Sequence, residues 1–183
     1  MNRDSVAIDL STKTFLATSE LPQGENNSCG FFVRGQPVLL RPMTKDDLNE
    51  VMVIEQSAYR YPWSSGFFLQ ELQVACARSI LAEVDGKICG YVLFWLLPGS
   101  IDVHNIATAS DCRRLGIARL LMQQVVAAAG AQSATRVTLE VRQSNEPAKR
   151  LYLSLGFNQT GLRKGYYADD GEDAFTMALE LDR

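Results

Sequence analysis

At 183 residues the chain has room for one domain and a tail, since domains run to roughly 100–200 residues. Hydrophobic residues make up 46% and charged residues 21%, which excludes disorder throughout, collagen and coiled coil and allows a sizeable core. With 18 Lys and Arg against 21 Asp and Glu the formal charge is −3, so bulk electrostatics give no ground for nucleic-acid binding.

Residues 1 to about 36 are rich in Ser, Thr, Asn and Gly, and the stretch from Leu21 to Ser28 has loop composition. This N-terminal extension is expected either to be disordered or to add a strand through Gly30-Phe31-Phe32-Val33. Residues 37–183 read as the folded domain. Val38-Leu39-Leu40-Arg41 is a short strand. Thr44, with Asp47 three residues on, resembles a capping box opening a helix with Leu48, Val51 and Ile54 on one face. A second helix follows Ser64 or Ser65 and carries Phe68, Leu69 and Leu72. Three strands come next, 79–84, 87–97 and 100–108, separated by Asp85-Gly86 and Pro98-Gly99, residues suited to hairpin turns. From Gly116 to about Gly130 a helix presents Ile117, Leu120, Leu121, Val125 and Ala128 on an arc wide enough to pack on a sheet. Residues 136–141 alternate and are β-branched, and the intervening helix makes them a parallel neighbour of 100–108. Asn145 caps a helix with the stripe Ala148, Leu151, Tyr152 and Leu155, and Gly156 ends it. Two last strands, 157–167 and 173–181, flank Ala168-Asp169-Asp170-Gly171. The order β-α-α-β-β-β-α-β-α-β-β describes an α/β (α+β) domain.

Cys29, Cys76, Cys89 and Cys112 stand far apart, and His104 is the single histidine. That supplies no zinc ligand set, so no metal is expected, and the cysteines read as reduced thiols. The N-terminus has no cleavable signal pattern, and the longest apolar stretch, Tyr91 to Pro98, is far below the ~20 residues of a membrane span. The expectation is a cytoplasmic protein with no membrane or nucleic-acid partner; its oligomeric state is not legible.

Cys112-Arg113-Arg114-Leu115-Gly116-Ile117-Ala118-Arg119 lies where a strand hands over to a helix. Uncapped N–H groups and the helix dipole favour an anion there, and three arginines concentrate positive charge on an acidic chain. Neither Gly-x-x-x-x-Gly-Lys nor Gly-x-Gly-x-x-Gly occurs. Read alone, the turn is an ordinary helix start with a solvated rim.

Arg113-Arg114-Leu115-Gly116-Ile117-Ala118 resembles the phosphate loop Gln/Arg-x-x-Gly-x-Gly/Ala of the GNAT superfamily of acetyl-CoA-dependent N-acetyltransferases, and residues 37–183 follow that family's element order. Tyr61-Pro62-Trp63-Ser64, His104-Asn105-Ile106-Ala107, the run Leu139 to Asn145, the run Leu151 to Phe157, and Tyr166-Tyr167 followed by Glu172-Asp173-Ala174 are similar to the RimI-type N-terminal alanine acetyltransferases of ribosomal protein. The resemblance implies a mixed, mostly antiparallel sheet of about seven strands, with a parallel pair splayed at its centre and about four flanking helices. It implies acetyl-CoA as co-substrate, with the pyrophosphate on Arg114, Leu115, Gly116, Ile117, Ala118 and Arg119. The pantetheine arm falls on the backbone of Ile106, Ala107 and Thr108, with a further contact at Asn145. It makes Glu140 the proton acceptor and Tyr152 the proton donor, and the acceptor the N-terminal alanine of a ribosomal protein, the eighteenth of the small subunit. Ala118 in place of the last loop glycine and Thr108 in place of Val depart from the pattern.

Acetyl transfer to an amine asks for three things. The nitrogen must be neutral, and an α-amine of pKa about 7.7–8.0 needs only a modest base; partial burial of Glu140 between Leu139 and Val141 would suit it. It can act directly or through a water. The tetrahedral oxyanion needs a fixed donor, which a backbone N–H along 106–108 can supply. The departing thiolate needs a proton, which a phenol beside it can give. Periodicity alone makes Tyr152 a core residue, and a strand-end glutamate is ordinarily solvated or paired with a neighbour such as Arg142. The acidic hairpin 169–173 reads as a solvated turn or as an attractor for a basic peptide, with Tyr166 and Tyr167 lining an acceptor groove. A small amine or lysine as acceptor, and a non-catalytic acyl-CoA-binding module, remain as alternatives.

Overall fold

The structure is a computed structural model and describes residues 29–181. The expected loop at 21–28 lies outside them. β1 (Cys29–Val33) and β2 (Gln36–Pro42) form a hairpin, so the extension does add a strand through Gly30 to Val33. Then come α1 (Leu48–Ala58), α2 (Ser65–Glu71), β3 (Ala77–Val84), β4 (Lys87–Leu97), β5 (Ser100–Thr108), α3 (Ile117–Ala131), β6 (Arg136–Arg142), α4 (Glu146–Ser154), β7 (Asn158–Tyr167) and β8 (Glu172–Glu180). The sheet has eight strands in the order β1-β2-β3-β4-β5-β6-β8-β7, one more than expected because of β1. Among the described residues only β5 and β6 pair parallel, as their separation by α3 requires.

Local chemistry explains the boundaries. A single turn of 3-10 helix, Lys45–Asp47, precedes α1; in it the Asp47 carboxylate accepts from the Thr44 backbone N–H at 2.7 Å. Arg41 of β2 grips the same carboxylate and Glu83 of β3, tying this corner together. Ser64 caps α2 by accepting from the Phe67 N–H, and Asn145 caps α4 by accepting from that of Ala148. β4 lies mid-sheet, and Ile88 through Phe94 are buried without the in-out alternation of a half-exposed strand. Phe94 is fully buried, and trimming it to alanine would cost about 3–5 kcal/mol.

The cysteines depart from expectation. Cys89 of β4 and Cys112, just past β5, form a disulfide with Cα atoms 5.5 Å apart, while Cys76 is free. The register is the cause: Ala109 donates its N–H to the Cys89 carbonyl, which brings the next turn back over β4. A separation of 23 residues carries no sign of that proximity. No described helix is long and apolar enough to cross a membrane.

Candidate active site

β5 carries one extra residue, His104, between the pairs Leu93↔Asn105 and Phe94↔Val103. A bulge of this kind bends the strand and raises its twist. β5 accordingly leaves its parallel partner: pairing with β6 stops at Val103↔Leu139. The His104 ring stacks on Trp95, centroids 4.3 Å apart. Beyond the bulge the Ala109 N–H points to β4. By the alternation of an antiparallel ladder Ala107 also faces β4, whereas Ile106 and Thr108 turn their N–H and C=O groups into the opening beside β6.

The residues of the expected phosphate loop sit at the end of this opening. A 3-10 turn, Ser110–Cys112, leads into Arg113, then Arg114 at φ 63° and Gly116 at φ 97°. Two left-handed residues within three positions let the chain reverse onto α3, and Gly116 has no side chain to cap the helix. The first-turn N–H groups, those of Ile117, Ala118 and Arg119, therefore lack intrahelical partners and are available to an anion. Ile117 is buried and Leu115 packs on the core, which anchors the loop on both sides of Gly116. Neither Arg113 nor Arg114 forms an ion pair among the described residues, while Arg119 donates to the Ser154 hydroxyl at the end of α4, 2.6 Å away. The donors and positive charge suit a diphosphate. Asn145 spends its side-chain carbonyl on the α4 cap.

Glu140 stands on β6 just beyond the last parallel pair, opposite Thr176 of β8. It is half-buried, its side chain 30% exposed, and its partner is Arg163 of β7 at 3.2 Å rather than Arg142. Tyr152 is 5% exposed and leans on Phe157. Burial, with Tyr167 adding, pushes its phenol well above the ordinary tyrosine value. Tyr167 is raised to about 12, first by burial and then by Tyr166, Glu140 and Glu172 against the opposing Arg142 cation. Tyr166 meets Tyr167 edge-on, with centroids 5.2 Å apart.

The acidic hairpin is spent internally. Asp169, Asp170 and Glu172 surround Arg142 at 2.7–3.0 Å, and Arg142 lies over the Tyr167 ring. Asp173 accepts from the Gly165 N–H. These carboxylates fix the Tyr166-Tyr167 segment in place of offering free charge to a peptide.

Two residues near the opening carry no mark in a motif reading. Glu55 of α1 is 1% exposed and accepts from the Trp63 N–H at 2.7 Å, from the Tyr91 hydroxyl and from the Asn105 side-chain amide. Burial raises its carboxyl, opposed by those hydrogen bonds. Tyr59, at the end of α1, donates its hydroxyl to the Ile106 carbonyl at 2.6 Å. A signal for Glu55 was present: it falls four residues after Val51 and seven after Leu48, on the buried stripe where a glutamate must find partners.

The Acetyltransferase (GNAT) family pattern matches residues 48–157. A Bacillus subtilis protein provisionally named a ribosomal protein bS18-alanine N-acetyltransferase is 35% identical over 143 residues, covering 78% of this chain and 95% of that one. An N-alpha-acetyltransferase of Sulfurisphaera tokodaii is 34% identical over 161 residues, 81% of this chain and 96% of the other. Among solved structures, the ribosomal-protein-S18-alanine N-acetyltransferase of Escherichia coli superposes with a TM-score of 0.73 at 30% identity, over 80% of this chain and 95% of that one. With the bulged, splayed parallel pair and the uncapped loop at its mouth, these likenesses carry one assignment: the chain belongs to the GNAT family of acetyltransferases and is an N-acetyltransferase.

Proposed function

We propose that this protein transfers the acetyl group of acetyl-CoA to the α-amine of a protein beginning with alanine, ribosomal protein S18 being the acceptor that the names of its relatives suggest. The observation that carries the reading is the left-handed turn at Arg114 and Gly116, whose open helix N-terminus stands at the mouth of the gap between β5 and β6. In this reading Arg114 to Arg119 hold the pyrophosphate through backbone N–H groups and the helix dipole. The pantetheine arm runs along the polar edge of β5 that β6 leaves open, at Ile106 and Thr108, with Ala107 between them, and Asn145 contacts the cofactor from the start of α4.

The thioester carbon then lies in the gap. The neutral amine attacks it, a C–N bond forms, and a backbone N–H of β5 steadies the oxyanion. The C–S bond breaks as the tetrahedral intermediate collapses. Glu140 takes the proton released by nitrogen, directly or through a water, and Tyr152 gives one to sulfur; both return to their starting states by exchange with solvent. A phenol lifted by burial keeps its proton at neutral pH, as a donor must. Tyr166 and Tyr167, held by Arg142, line the acceptor side.

The test is release of coenzyme A from acetyl-CoA in the presence of short peptides beginning Ala, Ser or Met, with a polyamine alongside. The expected result is turnover with the alanine peptide well above the others. Turnover with the polyamine alone would move the protein to small-amine acetylation, and binding without turnover would make it an acyl-CoA-binding module.

A further inference from the structure

Both ends of the short segment after α1 are pinned by Glu55. The Tyr59 N–H donates to the Glu55 backbone carbonyl at 3.0 Å, and the Trp63 N–H donates to the Glu55 carboxylate at 2.7 Å. The same buried carboxylate receives the Tyr91 hydroxyl of β4 and the Asn105 amide of β5. α1 is thereby locked to the strand that diverges, at the residue adjoining Ile106. From this fixed base the Tyr59 side chain reaches the Ile106 carbonyl, one of the groups turned into the gap.

That bond settles which way the hydroxyl faces. A tyrosine hydroxyl has one proton to give and lone pairs to offer. With its proton committed to Ile106, the Tyr59 oxygen can act toward the gap only as an acceptor. A nucleophilic amine in its neutral form has the complementary need, because its N–H bonds must be held while its lone pair points at the thioester carbon. We propose that Tyr59 is an amine-orienting residue: its oxygen accepts one N–H of the incoming amine, with the Ile106 carbonyl fixing the phenol proton and Glu55 fixing the segment. No bond to Tyr59 forms or breaks. The proposal rests on the acetyl-transfer reading of the site but does not depend on which amine is the acceptor.

Tyr59→Phe removes the oxygen and keeps the ring. In the full-length protein, with both substrates varied, kcat/KM for an alanine-first peptide should fall about tenfold, the scale of one hydrogen bond to the reacting group. The dissociation constant for acetyl-CoA, read by calorimetry, should stay near wild type, and the melting temperature should fall by only a few degrees, the scale of the one hydrogen bond lost to Ile106. Glu55→Gln should move the same peptide parameter in the same direction by less, because it loosens the base of the segment and leaves the phenol. A Tyr59→Phe enzyme within twofold of wild type on kcat/KM would overturn the proposal. So would an equal loss of acetyl-CoA affinity, which would make Tyr59 a structural strut. A polyamine measured in parallel separates this from the peptide reading: if wild type acetylates only the polyamine, the peptide assignment fails, and Tyr59 must still show the tenfold loss on that amine. If wild type acetylates neither, both readings fall.

Discussion

Gly116 of the proposed phosphate loop lies directly against Val33 of β1: a β-carbon placed on Gly116 would come 2.9 Å from Val33 Cγ1. The strand that adds the eighth member to the sheet therefore also buttresses the residue on which cofactor binding is proposed to depend. Gly116 is held to glycine twice, by that contact and by φ 97°. Gly116→Ala should weaken acetyl-CoA binding at least tenfold by calorimetry and lower the melting temperature. Adding Val33→Ala relieves the crowding but not the backbone strain, which costs of order 1–3 kcal/mol, so the double variant should regain part of the stability. Full recovery would mean that the left-handed conformation is unimportant.

Glu140→Gln should reduce kcat roughly 10²–10⁴-fold, the usual worth of a general base. Activity should partly return at alkaline pH, because an α-amine of pKa about 7.7–8.0 then loses its proton unaided. The Arg163 partner is a separate matter: the pair is 56% and 30% exposed, and such a bridge contributes at most about 1 kcal/mol. Arg163→Ala should leave the melting temperature nearly unchanged. Wild-type turnover by Glu140→Gln at neutral pH would remove Glu140 from the mechanism.

Tyr152→Phe should lower kcat by about 10²-fold or more while leaving acetyl-CoA affinity intact. Because burial, with Tyr167 adding, holds the phenol above its ordinary value, Tyr152 stays protonated through neutral and mildly alkaline pH. The wild-type kcat should therefore show no alkaline decline up to about pH 9. A pH–rate profile collected on both enzymes checks the two statements together.

Glu55 makes stability depend on pH in a direction opposite to most carboxylates. Burial raises its carboxyl from the ordinary 4.5, so the folded state binds this proton more tightly than the unfolded chain does. Stability from this group is complete below the unfolded value and is lost as pH rises through the folded one. Glu55→Gln cannot titrate. The melting temperature of wild type relative to Glu55→Gln should climb as pH is lowered toward the ordinary carboxyl value, and a flat difference would show that the carboxyl is not raised. Glu55→Ala, which strands the Trp63 N–H and the Tyr91 hydroxyl, should cost about 1–3 kcal/mol for each group left unsatisfied.

Sequence alone determined the features that neighbouring residues decide. Asp85-Gly86 and Pro98-Gly99 turn the hairpins, Thr44 and Asp47 open α1, Asn145 and Gly156 bound α4, and the parallel placement of β6 follows from the helix before it. The turn at 113–119 was legible for the same reason, since its glycine and its helix start are adjacent in the chain. Tertiary structure alone decided the pairings that span the sheet: Cys89 with Cys112, Glu140 with Arg163, Glu55 with Tyr91 and Asn105, Tyr59 with Ile106, and Val33 with Gly116. Periodicity says which face of an element is covered, not which distant element covers it. A polar pair such as Glu55 and Asn105, 50 residues apart, comes into being only when strand order and the His104 bulge bring α1 and β5 together.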